Sequence, residues 1–304
     1  MKRILILALV VLPSLVHSRT NESLPTYQFT YGSGLFQAPR AIACGGDSLV
    51  FVADELAWTV EVFTESGSHV TSFPVGAKPA GIAVAPDGTV WVACAESCLV
   101  RAFTPAGTPI RTLYSPAHRD SIGNFEYPRA VACLADGSIH VSCDWRDRIL
   151  HFSPTGTFLG ELGTIYGGGN TGAFYYVPQL AVFPDGSLFF GVPYDAAVHH
   201  WTQDGTELPT FSGLVGMSPY GVAVDAPTGR AWVSGWQTIL QFSAAGDTAG
   251  RIAAEPGKWE NPTQLAVDHH GRLHVLTGAA VARFGTASTP ARTETWGAIK
   301  ARYR

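Results

Sequence analysis

Charge is scarce in this chain. Only 14% of its 304 residues are Asp, Glu, Lys or Arg, and the acidic ones outnumber the basic ones 24 to 20. No basic stripe is present to neutralise phosphates, which argues against a nucleic-acid partner. Long apolar runs are missing after residue 18, so no later stretch is suited to cross a bilayer as a helix. The 5 cysteines include no CxxC pair and no Cys/His spacing typical of zinc. No Ser lies in a strained elbow with ordered partners, so no nucleophile constellation can be read from spacing. Helical periodicity is missing too, which turns attention to strands.

What the chain has is alternation, written six times. Residues 128–152 show one copy: a short apolar strand (130–134), a tight turn at Ala135-Asp136-Gly137, a second strand (138–143), a polar corner (144–147) and a third strand (148–152). Each copy starts at a proline, namely Pro39, Pro79, Pro128, Pro178, Pro219 and Pro262. Each ends at an aromatic: Phe63, Phe103, Phe152, Trp201, Phe242 and Phe284. The starts are 40, 49, 50, 41 and 43 residues apart. A period of this size made of strands describes a propeller blade. A fourth strand follows the aromatic, as at residues 68–73 and 157–162. The last copy has none after Phe284. The missing strand is expected from residues 26–31, which would pair onto the last blade and close the ring.

These residues resemble a known family. Gly81-Ile82-Ala83-Val84-Ala85-Pro86-Asp87-Gly88-Thr89-Val90-Trp91-Val92-Ala93 looks like the NHL repeat, as do Val52-Ala53-Asp54 and residues 148–152. The resemblance covers nearly all of the mature chain and implies an all-β, six-bladed β-propeller. It departs in one respect. The Asp that often ends the second strand is present as Asp54 only; the other copies hold Cys94, Cys143, Val192, Gly235 and Thr277.

The organisation follows: 1–18 signal peptide, 19–285 propeller, 286–304 C-terminal tail. Lys2 and Arg3, an apolar run over 4–12 and the small-residue site at Val16-His17-Ser18 make the signal pattern. The mature protein is therefore expected to be secreted or periplasmic. Without Lys2 and Arg3, 18 basic residues face 24 acidic ones, a net of −6. The tail is linker-like at first and then basic and aromatic, a candidate docking tag. An exported chain permits disulfides. Cys94 and Cys98 flank one corner and are the candidate pair, whereas Cys44 and Cys133 occupy positions where other copies hold Val.

Candidate site residues lie on one face. The Asp-Gly turns between first and second strands make a plain face; the corners between second and third strands and the inter-blade loops make the other. Two of those loops are long, 114–127 and 163–177, and rich in Tyr and Phe, including Tyr127, Tyr166 and Tyr175. Nearby corners add Trp58, Trp145, Tyr194, Trp236 and Trp259. Aromatic faces among polar groups suit a peptide, protein or glycan. The residues after each starting proline enter the ring's mouth: Arg40, Ala80, Arg129, Gln179, Tyr220 and Thr263, with Asp54 near the same rim. Two Arg and one Asp suit a carboxylate, phosphate or sugar acid.

No cofactor is expected. His140 and His274 hold the second-strand position filled elsewhere by Phe51, Trp91, Phe189 and Trp232, a packing position. The His199-His200 and His269-His270 pairs are not read as chelates, because neighbours in a strand point to opposite faces and the second pair lies in the turn corresponding to Pro86-Asp87, on the plain face. Other six-bladed propellers are enzymes (lactonases, a virginiamycin-type lyase, the peptide-amidating lyase) that hold a metal in the channel with groups from several blades. The equivalent strand starts here supply no such set. The leading expectation is thus a non-catalytic binding or scaffold module. The second is a metal-dependent lyase or lactonase acting in the same channel.

Overall fold

The computed structural model describes residues 24–114, 127–144, 148–162, 176–194, 196–209, 211 and 217–285. These form 23 β-strands. No described helix is long and apolar enough to cross a membrane. The strands make six antiparallel sheets in chain order, the blades of a propeller. Blade 1 holds Pro39–Cys44, Leu49–Asp54, Thr59–Thr64 and His69–Pro74. Blade 2 holds Gly81–Val84, Val90–Cys94, Leu99–Phe103 and Pro109–Tyr114. Blade 3 holds Pro128–Cys133, Ile139–Cys143, Arg148–Phe152 and Phe158–Leu162.

Among the described residues, blade 4 has three strands, Leu180–Val182, Leu188–Val192 and Ala197–Trp201, with a bridge from Trp201 to Glu207 where an outer strand would begin. Blade 5 holds Gly221–Asp225, Arg230–Gly235, Thr238–Phe242 and Thr248–Ala253. Blade 6 takes Leu265–Val267, Leu273–Leu276 and Val281–Gly285 from the end of the described chain. Its outer strand is Thr26–Tyr31, which pairs antiparallel with Val281–Gly285.

Local chemistry explains the turns. In Asp87-Gly88, Asp136-Gly137 and Asp185-Gly186 the glycines take φ of 86°, 83° and 84°, a region that residues bearing a Cβ rarely adopt. The preceding carboxylates accept the N–H groups of Thr89, Ser138 and Ser187, each at 2.9 Å. Each Asp thus holds its own turn through its side chain.

The apolar residues collect between blades rather than within them. Six buried clusters lie one at each blade interface. The cluster between blades 1 and 2 includes Phe51, Phe73 and Phe103; the one between blades 6 and 1 includes Tyr31, Phe63 and Leu276. A sheet packed on both faces must be apolar on both. That is why Val90–Cys94, Leu188–Val192 and Thr238–Phe242 are buried at every position. The aromatics Phe63, Phe103, Phe242 and Phe284, at the ends of third strands, are at most 1% exposed.

Candidate functional site

The inner strands converge on a cavity of about 130 Å³ at the mouth of the ring. Pro39, Arg40, Arg129, Tyr176, Pro178, Tyr220, Thr263 and Gln264 line it, drawn from five blades. Each blade's starting proline places the next side chain at the same height. Arg40, Arg129, Tyr220 and Thr263 therefore meet although more than 200 positions separate the first from the last.

Tyr176 organises the cationic side of this cavity. The Arg129 guanidinium lies 4.4 Å from the centre of its ring, and Arg40 Nη2 donates to its hydroxyl at 3.1 Å. Tyr194 packs edge-on against the same ring at 5.8 Å. Tyr176 holds φ at 58° and Tyr127 at 57°. Such left-handed backbone costs a non-glycine residue about 1–2 kcal/mol, and it recurs at corners around the ring, as at Trp58, Cys98 and Gln237. Arg129 also donates through Nε to Asp144 Oδ2 in a tight ion pair. Arg40 has no carboxylate partner among the described residues. Among the described residues, the mouth therefore carries one neutralised and one uncompensated cation.

The expected site residues divide accordingly. Arg40, Arg129 and Tyr220 line the cavity. Gln179 instead braces the channel wall. Its Nε2 donates to Leu265 O at 2.6 Å, and its Oε1 accepts Val222 N at 3.1 Å and Leu265 N at 3.0 Å. Asp54 is fully buried and accepts four backbone N–H groups, from Gln37, Ala38, Leu56 and Ala57, at 2.6–3.1 Å. It staples the entry of blade 1 to its own corner and does not line the cavity. Tyr127 is half-buried, and its carbonyl accepts Asp144 N. Trp236 stands 75% exposed on a blade-5 corner. Trp145, Tyr166 and Tyr175 lie outside the described residues, as do most of loops 114–127 and 163–177, the tail and residues 1–18. Sequence reasoning missed Tyr176 because a loop has no period to distinguish it from Tyr175.

The Cys94–Cys98 bridge is not formed; both thiols are free. The ladder pairs Cys94 with Leu99, so Cys98 falls one position beyond the register that would face it. Cys98 takes φ of 50°, and its Sγ approaches Ala95 O at 3.7 Å. Burial pushes the Cys94 thiol up to about 12 and holds those of Cys44 and Cys133 well above the usual thiol range. These three are inert at neutral pH.

A second polar group lies on the plain face, where blade 6 meets blade 1. His274 is fully buried. Its Nδ1 accepts the Tyr31 hydroxyl at 2.9 Å, and its Nε2 donates to Asp268 Oδ2 at 3.1 Å. Burial lowers its pKa, so the ring is held neutral. Burial alone would raise the Asp268 carboxyl. Bonds from His274 and from the Arg272 backbone and guanidinium outweigh it and hold the carboxyl well below the usual range. Arg272 also reaches Glu65 Oε2 on blade 1. Beside that pair, the His269 and His270 rings lie with centroids 3.8 Å apart. The expectation that such a pair diverges holds at His199-His200, which sit in a strand and face Glu207 and Ser187 respectively. His269-His270 lie in the turn, as expected, and there the two rings come to the same side.

The NHL repeat family model matches residues 77–103, the second blade. This chain is a six-bladed β-propeller with an NHL repeat in its second blade. Comparison with curated proteins finds no match. Among solved structures, the NHL-repeat propeller is similar to a streptogramin B lyase, with 13% identity over 84% of this chain and 96% of that one and a TM-score of 0.60. It is similar to a catalytically inactive virginiamycin B lyase from Staphylococcus aureus with quinupristin, with 14% identity over 82% and 80% and a TM-score of 0.59. It is also similar to a gluconolactonase from Xanthomonas campestris, with 16% identity over 84% and 87% and a TM-score of 0.65. At these identities the likeness is one of fold, and function has to be argued from the site.

Proposed function

We propose that this propeller is an exported binding module that captures the carboxylate-bearing end of a peptide or glycan in the mouth of its ring. The observation that carries the reading is Arg40, hydrogen-bonded to Tyr176 at 3.1 Å and without a carboxylate partner among the described residues. A guanidinium held in place by a neutral hydroxyl keeps donors for an incoming carboxylate. The volume, about 130 Å³, is well below the roughly 300–1,000 Å³ of pockets that engulf a whole small molecule. It suits one inserted group, with the rest of the ligand lying across the face. Tyr194, Tyr220 and Trp236, at 73%, 41% and 75% exposure, provide flat apolar surface there. Export rests on the N-terminal signal pattern.

The test is a binding titration with acidic peptides and uronic-acid oligosaccharides, each beside its amidated or neutral counterpart. The acidic member should bind, and more weakly as salt rises. Arg40→Ala should weaken it by roughly 1.5–3 kcal/mol, the range for a charge-assisted hydrogen bond. Equal binding of the neutral counterparts, or full affinity in Arg40→Ala, defeats the reading. A probe that is consumed would replace it with the lyase or lactonase reading.

A further inference from the structure

We infer that Glu65, His269 and His270 form a binding site for a divalent transition metal on the face opposite the proposed ligand site. One ligand atom from each residue lies within 4.8 Å of the other two. Tetrahedral zinc with ligands about 2.0 Å away sets them about 3.3 Å apart, a spacing inside the 4.8 Å limit of the set. The three residues come from two places in the chain. Glu65 is in the turn between the third and outer strands of blade 1, and the two His are in the first turn of blade 6.

Two observations separate this group from an ordinary surface ion pair. Glu65 is 5% exposed, yet its Oε1 accepts no hydrogen bond. His269 Nδ1 stands 2.7 Å from that oxygen but is not aligned to donate to it. A buried carboxylate oxygen left in this state is costly, and a cation between the two atoms would satisfy both. Its other oxygen is occupied by Arg272, which is itself anchored by Asp268. That anchor leaves Oε1 facing the His269 imidazole, as an outer partner orients a metal ligand, while His270 Nε2 stands 3.7 Å from Oε2. The adjacent His are forced to the same side by their turn, with the His270 N–H fixed on Asp268 Oδ1 at 2.9 Å and Gly271 at φ of 72°.

Donor chemistry selects the metal. Two imidazoles and one carboxylate suit zinc, nickel or copper and disfavour calcium and magnesium, which want all-oxygen cages. Arg272 and Arg283 add positive charge close by, so affinity should be moderate rather than that of a structural zinc finger. Three protein ligands leave a fourth position open, and His269 and His270, at 39% and 55% exposure, place it at solvent. A bound ion would bridge blades 1 and 6.

Zinc titration by calorimetry tests this, using the mature chain stripped of metal and with its accessible thiols alkylated. One zinc per chain is expected, with no competition from calcium. His269→Ala and His270→Ala should each weaken binding by about tenfold or more, roughly 1.4 kcal/mol per tenfold. Both side chains are exposed enough that these variants should fold. His69→Ala, which removes an exposed imidazole paired with Glu61, should bind as the parent does. Zinc should raise the unfolding temperature of the parent and leave that of the double variant unmoved. Absence of zinc binding, or an unchanged titration in the double variant, overturns the site.

Discussion

His140 stands where four other blades carry Phe or Trp, and it is fully buried. Neither ring nitrogen finds a hydrogen bond among the described residues, and the ring stacks on His151 at 4.3 Å. It behaves as an aromatic that carries two unmet polar atoms. Burial, then the neighbouring His151, pushes its pKa down to about 3. The unfolded chain takes up this proton near pH 6.5, whereas the native one does not until about pH 3. Between those values the unfolded state holds the extra proton, so stability falls as the pH drops, by up to about 1.4 kcal/mol per pH unit. His140→Phe should therefore raise stability at neutral pH by about 1–3 kcal/mol, by removing unsatisfied buried atoms. It should also flatten the acid side of the profile by one proton. Urea unfolding at neutral pH and at about pH 5 measures both effects, and an equally steep profile in the variant would contradict the assignment. The position was legible in the sequence because it recurs in phase with Phe51, Trp91, Phe189 and Trp232. Its lack of partners was not, since that depends on what neighbouring strands bring near.

At the scale of strands, periodic features were readable and aperiodic ones were not. Arg40 and Arg129 could be assigned to the mouth because the residue after each proline repeats. The Asp-Gly turns could be placed because their φ requirement restricts the residues allowed there. The role of Asp54 could not be read, because a carboxylate engaged by backbone amides looks the same in sequence as one awaiting a ligand. Glu65 went unnoticed because its partners lie more than 200 residues away in a turn. Inner strands also carry a steric rule. A Cβ on Gly81 would stand 2.2 Å from Arg129 O and 2.9 Å from Ala130 Cα, both backbone atoms of the next blade. Neither can move without displacing the inner strand of blade 3. Gly81→Ala should therefore cost about 1–3 kcal/mol, in the range for overpacking, and should disturb Arg129 as well. A urea midpoint equal to the parent's would show that the blades can part there.

For the whole molecule, the six interface cores make stability a shared property. No blade buries its own apolar surface; each depends on two neighbours. Thr26–Tyr31 contributes to the interface of blades 6 and 1 through Tyr31, whose ring meets Phe63 at 5.2 Å and whose hydroxyl meets His274. Deleting the chain through Tyr31 would uncover the edge of Val281–Gly285 and open that core. The unfolding midpoint should drop by the equivalent of several kcal/mol, with blades 1 and 6 gaining hydrogen-exchange rate first. An unchanged midpoint would mean that five interfaces suffice.

The pairing of Thr26–Tyr31 with Val281–Gly285 also sets an order in time. The bond from Thr26 Oγ1 to Gly285 O spans 259 residues. At ordinary rates of synthesis that separation is on the order of tens of seconds. The earliest of these strands to be made is therefore the last to find its neighbour, and it must wait as a solitary strand while five blades are assembled behind it. Its outward residues, Thr26 and Gln28, are polar and exposed, which discourages it from pairing with another chain during the wait.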